Sequence, residues 1–118
     1  MGKRFLVVDD SLVSRMMVKT IISDTVPDAD IQEAANGADA LKNINADTEI
    51  DIAIIDFNMP GMDGLDLFKA ISDQVDIPKK ALLTANIQSQ VKERAAEQSV
   101  TFINKPINED TIRSFILN

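Results

Sequence analysis

Five short apolar blocks, separated by segments with helical periodicity, constrain the fold of this chain more than any other feature. The blocks lie at 5–8, 31–34, 52–55, 80–84 and 100–103. The helix-period segments lie at 11–25, 37–45, 64–74, 87–98 and 108–117, and in the first of them Val13, Met17 and Ile21 recur at helical spacing. Alternating strands and helices imply parallel pairing through right-handed crossovers. The sequence therefore predicts an α/β protein with a five-stranded parallel sheet and five helices.

The polarity of the blocks predicts the strand order. The fully apolar runs at 5–8, 52–55 and 81–83 suit interior strands, whereas polar residues in 31–34 and 100–103 suit the edges of the sheet. This pattern favours the doubly wound order 2-1-3-4-5. Ligands of such sheets bind beyond the carboxyl ends of the strands.

Composition narrows the possible functions. The 118 residues suit one domain, 1–118, and the absence of Cys and His excludes disulfides, thiol nucleophiles and imidazole bases. A net charge of −7 disfavours nucleic acid and anionic membranes as partners. The first apolar run stops at Asp9, far short of a signal peptide or membrane span, so we expect a cytoplasmic protein.

Polar residues suited to chemistry stand at the ends of four predicted strands. They are Asp9 and Asp10 after the first, Asp56 after the third, Thr84 in the fourth and Asn104-Lys105-Pro106 after the fifth. Because the carboxyl ends of neighbouring parallel strands meet at one edge of a sheet, we expect these side chains to converge.

Three clustered carboxylates raise one another's proton affinity unless a cation balances them. Mg²⁺ is a suitable cation because it binds oxygen ligands and combines one or two carboxylates with a phosphoryl oxygen. Lys105 supplies a charge and Thr84 a hydroxyl for the same phosphoryl group. The set suits phosphoryl transfer, which depends on positioning and charge stabilisation.

Four motifs occur in an order and spacing that identify a family. They are V-V-D-D-S at 7–11, D-F-N-M-P-G-M-D-G at 56–64, L-T-A at 83–85 and K-P at 105–106. Over residues 3–117 the chain resembles the receiver domains of two-component response regulators, most closely the stand-alone chemotaxis type, whose fold is flavodoxin-like.

The resemblance implies a role for each matching residue. Asp56 would accept phosphate from a phosphohistidine. Asp10, Asp56 and the carbonyl of Asn58 would bind Mg²⁺ directly, and Asp9 would act through water. Thr84, Lys105 and the backbones of Asn58 and Ala85 would contact the phosphoryl group, and the bond from Lys105 to Pro106 is often cis in this family.

The resemblance also implies a switch that is not itself an enzyme. A sensor histidine kinase or phosphotransfer protein would be the donor, and the fourth helix, fifth strand and fifth helix would form the readout surface. Since the chain ends after the fifth helix, we expect no output domain, so the output passes to another protein, such as a flagellar motor protein or a phosphatase. Ile87, Val91 and Ala95 give the fourth helix a thin apolar stripe, which predicts a weakly anchored, movable helix.

Three positions are expected to tune the switch. Phe102 stands where the family commonly has Tyr, and we expect it to turn inward with Thr84 on phosphorylation without presenting a hydroxyl to a partner. Asn58 and Asn86 occupy positions at which the family tunes aspartyl-phosphate lifetime.

Other conspicuous residues are interpreted structurally. Asp63 is expected to cap the third helix, Gly61 and Gly64 to serve backbone geometry, and Met16, Met17, Met59 and Met62 to pack or contact turns. The acids Asp24, Asp28 and Asp30 are expected to be solvated.

Two other functions use the same architecture. A flavodoxin-like electron carrier is disfavoured because Asp9 and Asp10 would repel a flavin phosphate and the chain has no Trp or Tyr to stack on the ring. An unphosphorylated pseudo-receiver that serves as a scaffold is disfavoured by the presence of Asp10, Asp56, Thr84 and Lys105. A test of phosphorylation decides between this scaffold and a phosphorylated receiver.

Overall fold

The computed structural model describes residues 2–85 and 88–118, in which strands and helices alternate as predicted. The strands are β1 (Arg4–Val8), β2 (Asp30–Ala34), β3 (Ile52–Asp56), β4 (Lys79–Thr84) and β5 (Thr101–Asn104). The helices are α1 (Leu12–Thr25), α2 (Gly37–Lys42), α3 (Gly64–Ser72), α4 (Ser89–Glu97) and α5 (Glu109–Leu117).

The sheet has the order β2-β1-β3-β4-β5, and all pairs of strands are parallel, which confirms the predicted order and fold class. In the register, Val8 lies opposite Ile55, Asp56 opposite Leu83, and Thr84 opposite Asn104. The carboxyl ends of β1, β3, β4 and β5 therefore lie side by side at one edge.

Alternation along each strand divides the core into two apolar layers. Phe5 and Val7 of β1 point into the layer that Val18, Ile22 and Ile112 of α1 and α5 complete. Leu6 and Val8 point into the opposite layer, together with buried residues of α2, α3 and α4. The interior strands β1, β3 and β4 are thus covered on both faces, as their apolar sequences predict.

Side chains with carboxylate, amide or hydroxyl oxygens begin four of the helices. Ser11, Asn36, Asp63 and Asn108 each accept a hydrogen bond from a backbone N–H in the first turn. The predicted capping role of Asp63 is confirmed, and it forms a reciprocal capping box with Asp66.

Helix α2 ends at Lys42, three residues before its predicted end at 45. The amides of Asn43 and Ile44 donate to the carbonyls of Ala40 and Leu41, so the last turn tightens and the helix stops. Ile44 then turns into the core. Ile87, the predicted first residue of the fourth helix, lies outside the described residues.

The exposed first half of α1 contradicts the predicted packing of this helix. Val13 is 68% and Met17 45% exposed, and Met16 is also exposed, whereas the buried residues are Val18, Ile21 and Ile22. The helix starts at the carboxyl end of β1 and runs back along the sheet, so only its second half covers the strands. Of the two roles predicted for the methionines, core packing or contact with turns, this exposure contradicts core packing for Met16 and Met17, whereas Met59 and Met62 do pack against the core.

The predicted solvated acids Asp24, Asp28 and Asp30 are exposed. Within the two described ranges, no helix has the length and apolar character needed to cross a membrane.

Candidate functional site

The buried polar side chains of the described ranges mark the carboxyl edge of the sheet. They are Asp9, Asp56 and Thr84, each no more than 3% exposed, and all three lie at or directly after the end of an interior strand. Burial of polar groups is unfavourable unless they are paired. Every buried side-chain polar atom in the described part of the chain has a hydrogen-bond partner.

Asp9, Asp10 and Asp56 form an acidic cluster. Each offers a carboxylate oxygen, and these oxygens lie within 4.8 Å of one another, with Asp9 and Asp56 buried and Asp10 exposed. Oxygen donors at such distances match the ligand preference of a hard divalent cation. The chemistry of the donor set thus fits Mg²⁺, and the exposed Asp10 leaves the cluster accessible from solvent.

Lys105 joins the acids at this edge. Its Nζ lies 3.0 Å from Oδ1 of Asp56 and 3.3 Å from Oδ2 of Asp9. Its backbone N–H donates to the carbonyl of Thr84 at 2.9 Å, which fixes the segment after β5 beside the end of β4. The bond from Lys105 to Pro106 is cis.

Burial changes the acidity of the two groups at the centre of the site. Burial raises the pKa of Asp56 to about 6; the hydrogen bond from Lys105 opposes this rise, and the charges of Asp9 and Asp10 add to it. Burial alone would lower the pKa of Lys105, but the hydrogen bond and charge of Asp56, together with Asp9, raise it. Lys105 is therefore a cation, and Asp56 is an anion at neutral pH that gains from any nearby positive charge.

The loop after Asp56 folds back onto the strand. The Gly64 N–H donates to the Phe57 carbonyl at 3.0 Å, and a Cβ at Gly64 would lie 2.4 Å from the carbonyl oxygen of Asp56. Gly61 has φ +84°, a left-handed conformation that favours glycine. Asn58 is exposed in this loop, two residues after Asp56. The glycines thus serve backbone geometry, as predicted, and keep the loop against the site.

The remaining predicted residues lie near this edge or outside the described ranges. Ala85 is exposed and directly follows Thr84. Phe102 lies on β5, half-buried against the α2–α4 layer rather than in the acidic cluster, and Lys92 Nζ lies 5.6 Å from the centre of its ring. Asn86 lies outside the described residues.

Arg15 is a site residue that the sequence reasoning missed. Its Nη1 donates to the Asp9 carbonyl at 2.8 Å, and its Nε donates to Glu33 at 3.0 Å. Lys19 also binds Glu33, and hydrogen bonds from Lys19 and Arg15 lower the pKa of Glu33. Arg15 thereby holds the Asp9 backbone to β2. Arg15 lies about one helical turn after Ser11, the N-cap of α1, and this position next to the end of β1 could have indicated its contact with Asp9.

Comparisons with known proteins agree on one family. The model of the response regulator receiver domain matches residues 5–117. The chemotaxis protein CheY of Thermotoga maritima is 33% identical over 114 residues, which cover 95% of this chain and 92% of that protein. The solved structure of chemotaxis protein CheY4 of Vibrio cholerae superposes with a TM-score of 0.85 at 28% identity, covering 99% of this chain and 98% of that chain.

Longer relatives match over part of their length. A cyclic di-GMP phosphodiesterase response regulator of Xanthomonas campestris is 30% identical over 118 residues, which cover 97% of this chain and 31% of that protein. A protein-glutamate methylesterase/protein-glutamine glutaminase of Myxococcus xanthus is matched over 33% of its length. The chain therefore spans about a third of these two relatives.

Proposed function

This chain belongs to the response regulator receiver domain family, and we propose that it accepts a phosphoryl group on Asp56 and thereby switches a protein-binding surface. In this step, the P–N bond of a partner's phosphohistidine breaks as a P–O bond forms to an Asp56 carboxylate oxygen. The imidazole nitrogen takes up a proton and leaves with the partner. The donor is a sensor histidine kinase or a phosphotransfer protein, which places the reaction in the cytoplasm.

The observation that carries this proposal is the position of Asp56. Its carboxylate is buried at the end of β3, 3.0 Å from Lys105 Nζ and within reach of Asp9 and Asp10. One cation would be enough to pair a buried carboxylate that only stabilised the fold. Here Lys105 lies beside a cluster of three carboxylates, those of Asp9, Asp10 and Asp56, so the site keeps excess negative charge. Such excess suits a site that works with a bound divalent cation.

Mg²⁺, held by Asp10, Asp56 and the carbonyl of Asn58 with Asp9 acting through water, would supply charge neutralisation and Lewis acidity for phosphoryl oxygens. The protein's own residues do the rest. Lys105 pairs with a phosphoryl oxygen, and the Thr84 hydroxyl and the Ala85 N–H donate to others. Thr84 ends β4, the strand beside that of Asp56, Ala85 directly follows it, and Lys105 directly follows β5, the next strand along the sheet.

Phosphorylation then changes the charge at Asp56 and shifts an equilibrium between two conformations of the protein. A phosphoryl group adds about −1.5 to −2 charge at Asp56, which favours the state in which Thr84 and Lys105 close on it. Phe102 follows Thr84 inward, and the surface formed by α4, β5 and α5 changes. We propose that this surface binds a downstream protein, in chemotaxis or a related pathway, and that the chain acts as a phosphoacceptor and not as an enzyme with its own substrate.

The exposed first half of α1 suits the surface that receives the phosphodonor. Leu12, Val13, Met16 and Met17 are each at least 45% exposed, and this patch begins two residues after Asp10. A donor that delivers phosphate to Asp56 has to approach the exposed side of the acidic cluster at Asp10, close to the start of this patch. Exposed apolar patches of this kind mark protein interaction sites.

Beryllofluoride, a phosphoryl mimic, tests the proposal. With Mg²⁺ present, we expect it to bind the wild-type protein and to shift amide resonances of the Thr84 and Phe102 segments; NMR is used because the chain has no Trp or Tyr for fluorescence. Asp56→Asn removes the acceptor oxygen and should abolish binding, while Asp24→Asn, an exposed acid on α1, should bind as wild type. Failure of the wild-type protein to bind would favour the pseudo-receiver scaffold instead.

A further inference from the structure

We infer that Arg94 restrains α4 in the position that accompanies unphosphorylated Asp56, by clamping this helix to the N-terminus of α3. This inference rests on the proposed function, because it concerns how strongly the contacts of α4 oppose the change of state that phosphorylation of Asp56 favours. Arg94 is a positioning residue in this account. It touches neither the phosphoryl group nor the acidic cluster.

The clamp is a two-pronged ion pair. Nη1 and Nη2 of Arg94 donate to the two carboxylate oxygens of Asp63 at 3.1 and 3.3 Å, and Nη2 also donates to Oδ1 of Asp66 at 3.2 Å. Gln98, directly after α4, adds a hydrogen bond from Nε2 to the Leu65 carbonyl at 3.2 Å. Bidentate guanidinium–carboxylate pairing fixes orientation as well as distance. The second half of α4 is therefore held to the first turn of α3.

Helix α4 has few other anchors, whereas α3 has many. The buried residues of α4 are Val91 and Ala95, and those of α3 are Gly64, Leu65, Leu67, Phe68 and Ile71. Asp63 and Asp66 also complete the α3 capping box without Arg94, through bonds of 2.8 and 3.2 Å. Loss of the clamp should consequently loosen α4 and leave α3 in place.

The first turn of α3, to which Arg94 binds, contacts the backbone of Asp56. Gly64, between Asp63 and Leu65, packs against the carbonyl oxygen of Asp56, and its N–H binds the Phe57 carbonyl. Lys105 binds the free carboxylate of Asp56 in the same structure. The position in which Arg94 holds α4 is thus the position that goes with the unmodified acceptor.

The direction of the effect follows from linkage. If α4 moves when Asp56 is phosphorylated, the motion has to break the Arg94 contacts, so removing them favours the switched state. The side chains of Arg94, Asp63 and Asp66 are 40%, 26% and 55% exposed, so solvent weakens the pair. A pair of this exposure changes an equilibrium by about two- to fivefold.

Beryllofluoride titration of four single variants and of the double variant Arg94→Gln/Asp63→Asn, in Mg²⁺ and followed by calorimetry, tests the inference. Arg94→Gln removes the cation. Asp63→Asn removes the charge but keeps a residue that caps helices well. Arg94→Lys keeps a charge without the fork. Lys42→Gln, which removes an exposed ion pair to Asp39 on α2, is the matched control.

We expect Arg94→Gln and Asp63→Asn each to bind beryllofluoride two- to fivefold more tightly, Arg94→Lys to be intermediate, and the control to match wild type. The double variant should bind no more tightly than Arg94→Gln alone, because that change already removes the contacts to both Asp63 and Asp66. Hydrogen exchange without beryllofluoride should accelerate in 89–97 and stay unchanged in 64–72, which a general loss of stability would not produce.

Unchanged or weaker binding in Arg94→Gln, or additive effects in the double variant, would overturn the inference while leaving the phosphoacceptor role intact. If the wild-type protein itself fails to bind beryllofluoride, the proposed function fails first, and the regulatory role of Arg94 fails with it.

Discussion

Replacement of Asp56 by Asn should stabilise the metal-free protein. The wild-type side chain is almost completely buried, lies close to two other acids, and has a pKa raised from 3.8 to about 6. At neutral pH the Asp56 carboxyl is therefore ionised, and its burial in this form lowers the free energy of unfolding. Asn has the same shape and no charge, so the variant removes this unfavourable contribution and leaves Lys105 paired with Asp9.

The sign and size follow from proton linkage. Because the folded state holds the Asp56 proton more tightly than the unfolded chain, wild-type stability falls as pH rises from about 4 to about 6, and the loss is complete above this range. The rise in pKa from 3.8 to about 6 corresponds to ~3 kcal/mol. We expect Asp56→Asn to be ~3 kcal/mol more stable than wild type at pH 8 and ~1 kcal/mol more stable at pH 4.5.

Urea unfolding followed by far-ultraviolet circular dichroism measures this difference, with a chelator present to remove divalent cations. Asp24→Asn makes the same change of net charge at an exposed site and should differ from wild type by less than about 0.5 kcal/mol. Equal stability of Asp56→Asn and wild type at pH 8, or a difference that grows as the pH falls, would refute this account of the site's electrostatics.

Four further substitutions have defined outcomes. Gly64→Ala should destabilise the protein by about 1–3 kcal/mol in urea unfolding, because its Cβ meets the Asp56 carbonyl, whereas Gly61→Ala has open space and should lose only about 1–2 kcal/mol of backbone preference. Lys105→Met should raise the pKa of Asp56 above about 6, because it removes the hydrogen bond and the positive charge that lower this pKa; a carboxyl ¹³C titration by NMR that shows no rise would contradict this role of Lys105. Met17→Glu should slow phosphoryl transfer from a cognate kinase and leave labelling by acetyl phosphate unchanged; equal kinase rates would exclude the α1 patch as the donor surface.

The sequence was sufficient to predict the sheet. Alternation of apolar blocks with helical segments specifies parallel crossovers, and the polar residues of β2 and β5 identify the edges, so the strand order required no tertiary information. Convergence of Asp9, Asp56 and Lys105 then follows from the order alone.

The buried face of α1 shows where periodicity is insufficient. Spacing of Val13, Met17 and Ile21 gives the direction in which a helix face points, but not how much of the helix lies over the sheet. That overlap depends on where β1 ends and α1 begins in three dimensions. The exposed residues Val13 and Met17 are the result.

Contacts between distant side chains were also beyond the sequence. Arg94 and Asp63 are 31 positions apart, and nothing in either segment indicates that they meet. The repulsion among the three acids was predictable from their clustering. The largest contribution to the raised pKa of Asp56 is burial, which depends on the packing around β3.

The proposed switch depends on the acceptance of a phosphoryl group by Asp56. Incubation of the protein with acetyl phosphate, with and without Mg²⁺, followed by borohydride reduction and peptide mass spectrometry, locates an aspartyl phosphate by the modification it leaves. We expect Mg²⁺-dependent labelling at Asp56 that disappears in Asp56→Asn, while Asp24→Asn labels as wild type. Labelling that persists in Asp56→Asn, or no labelling of the wild-type protein under these conditions, would contradict it.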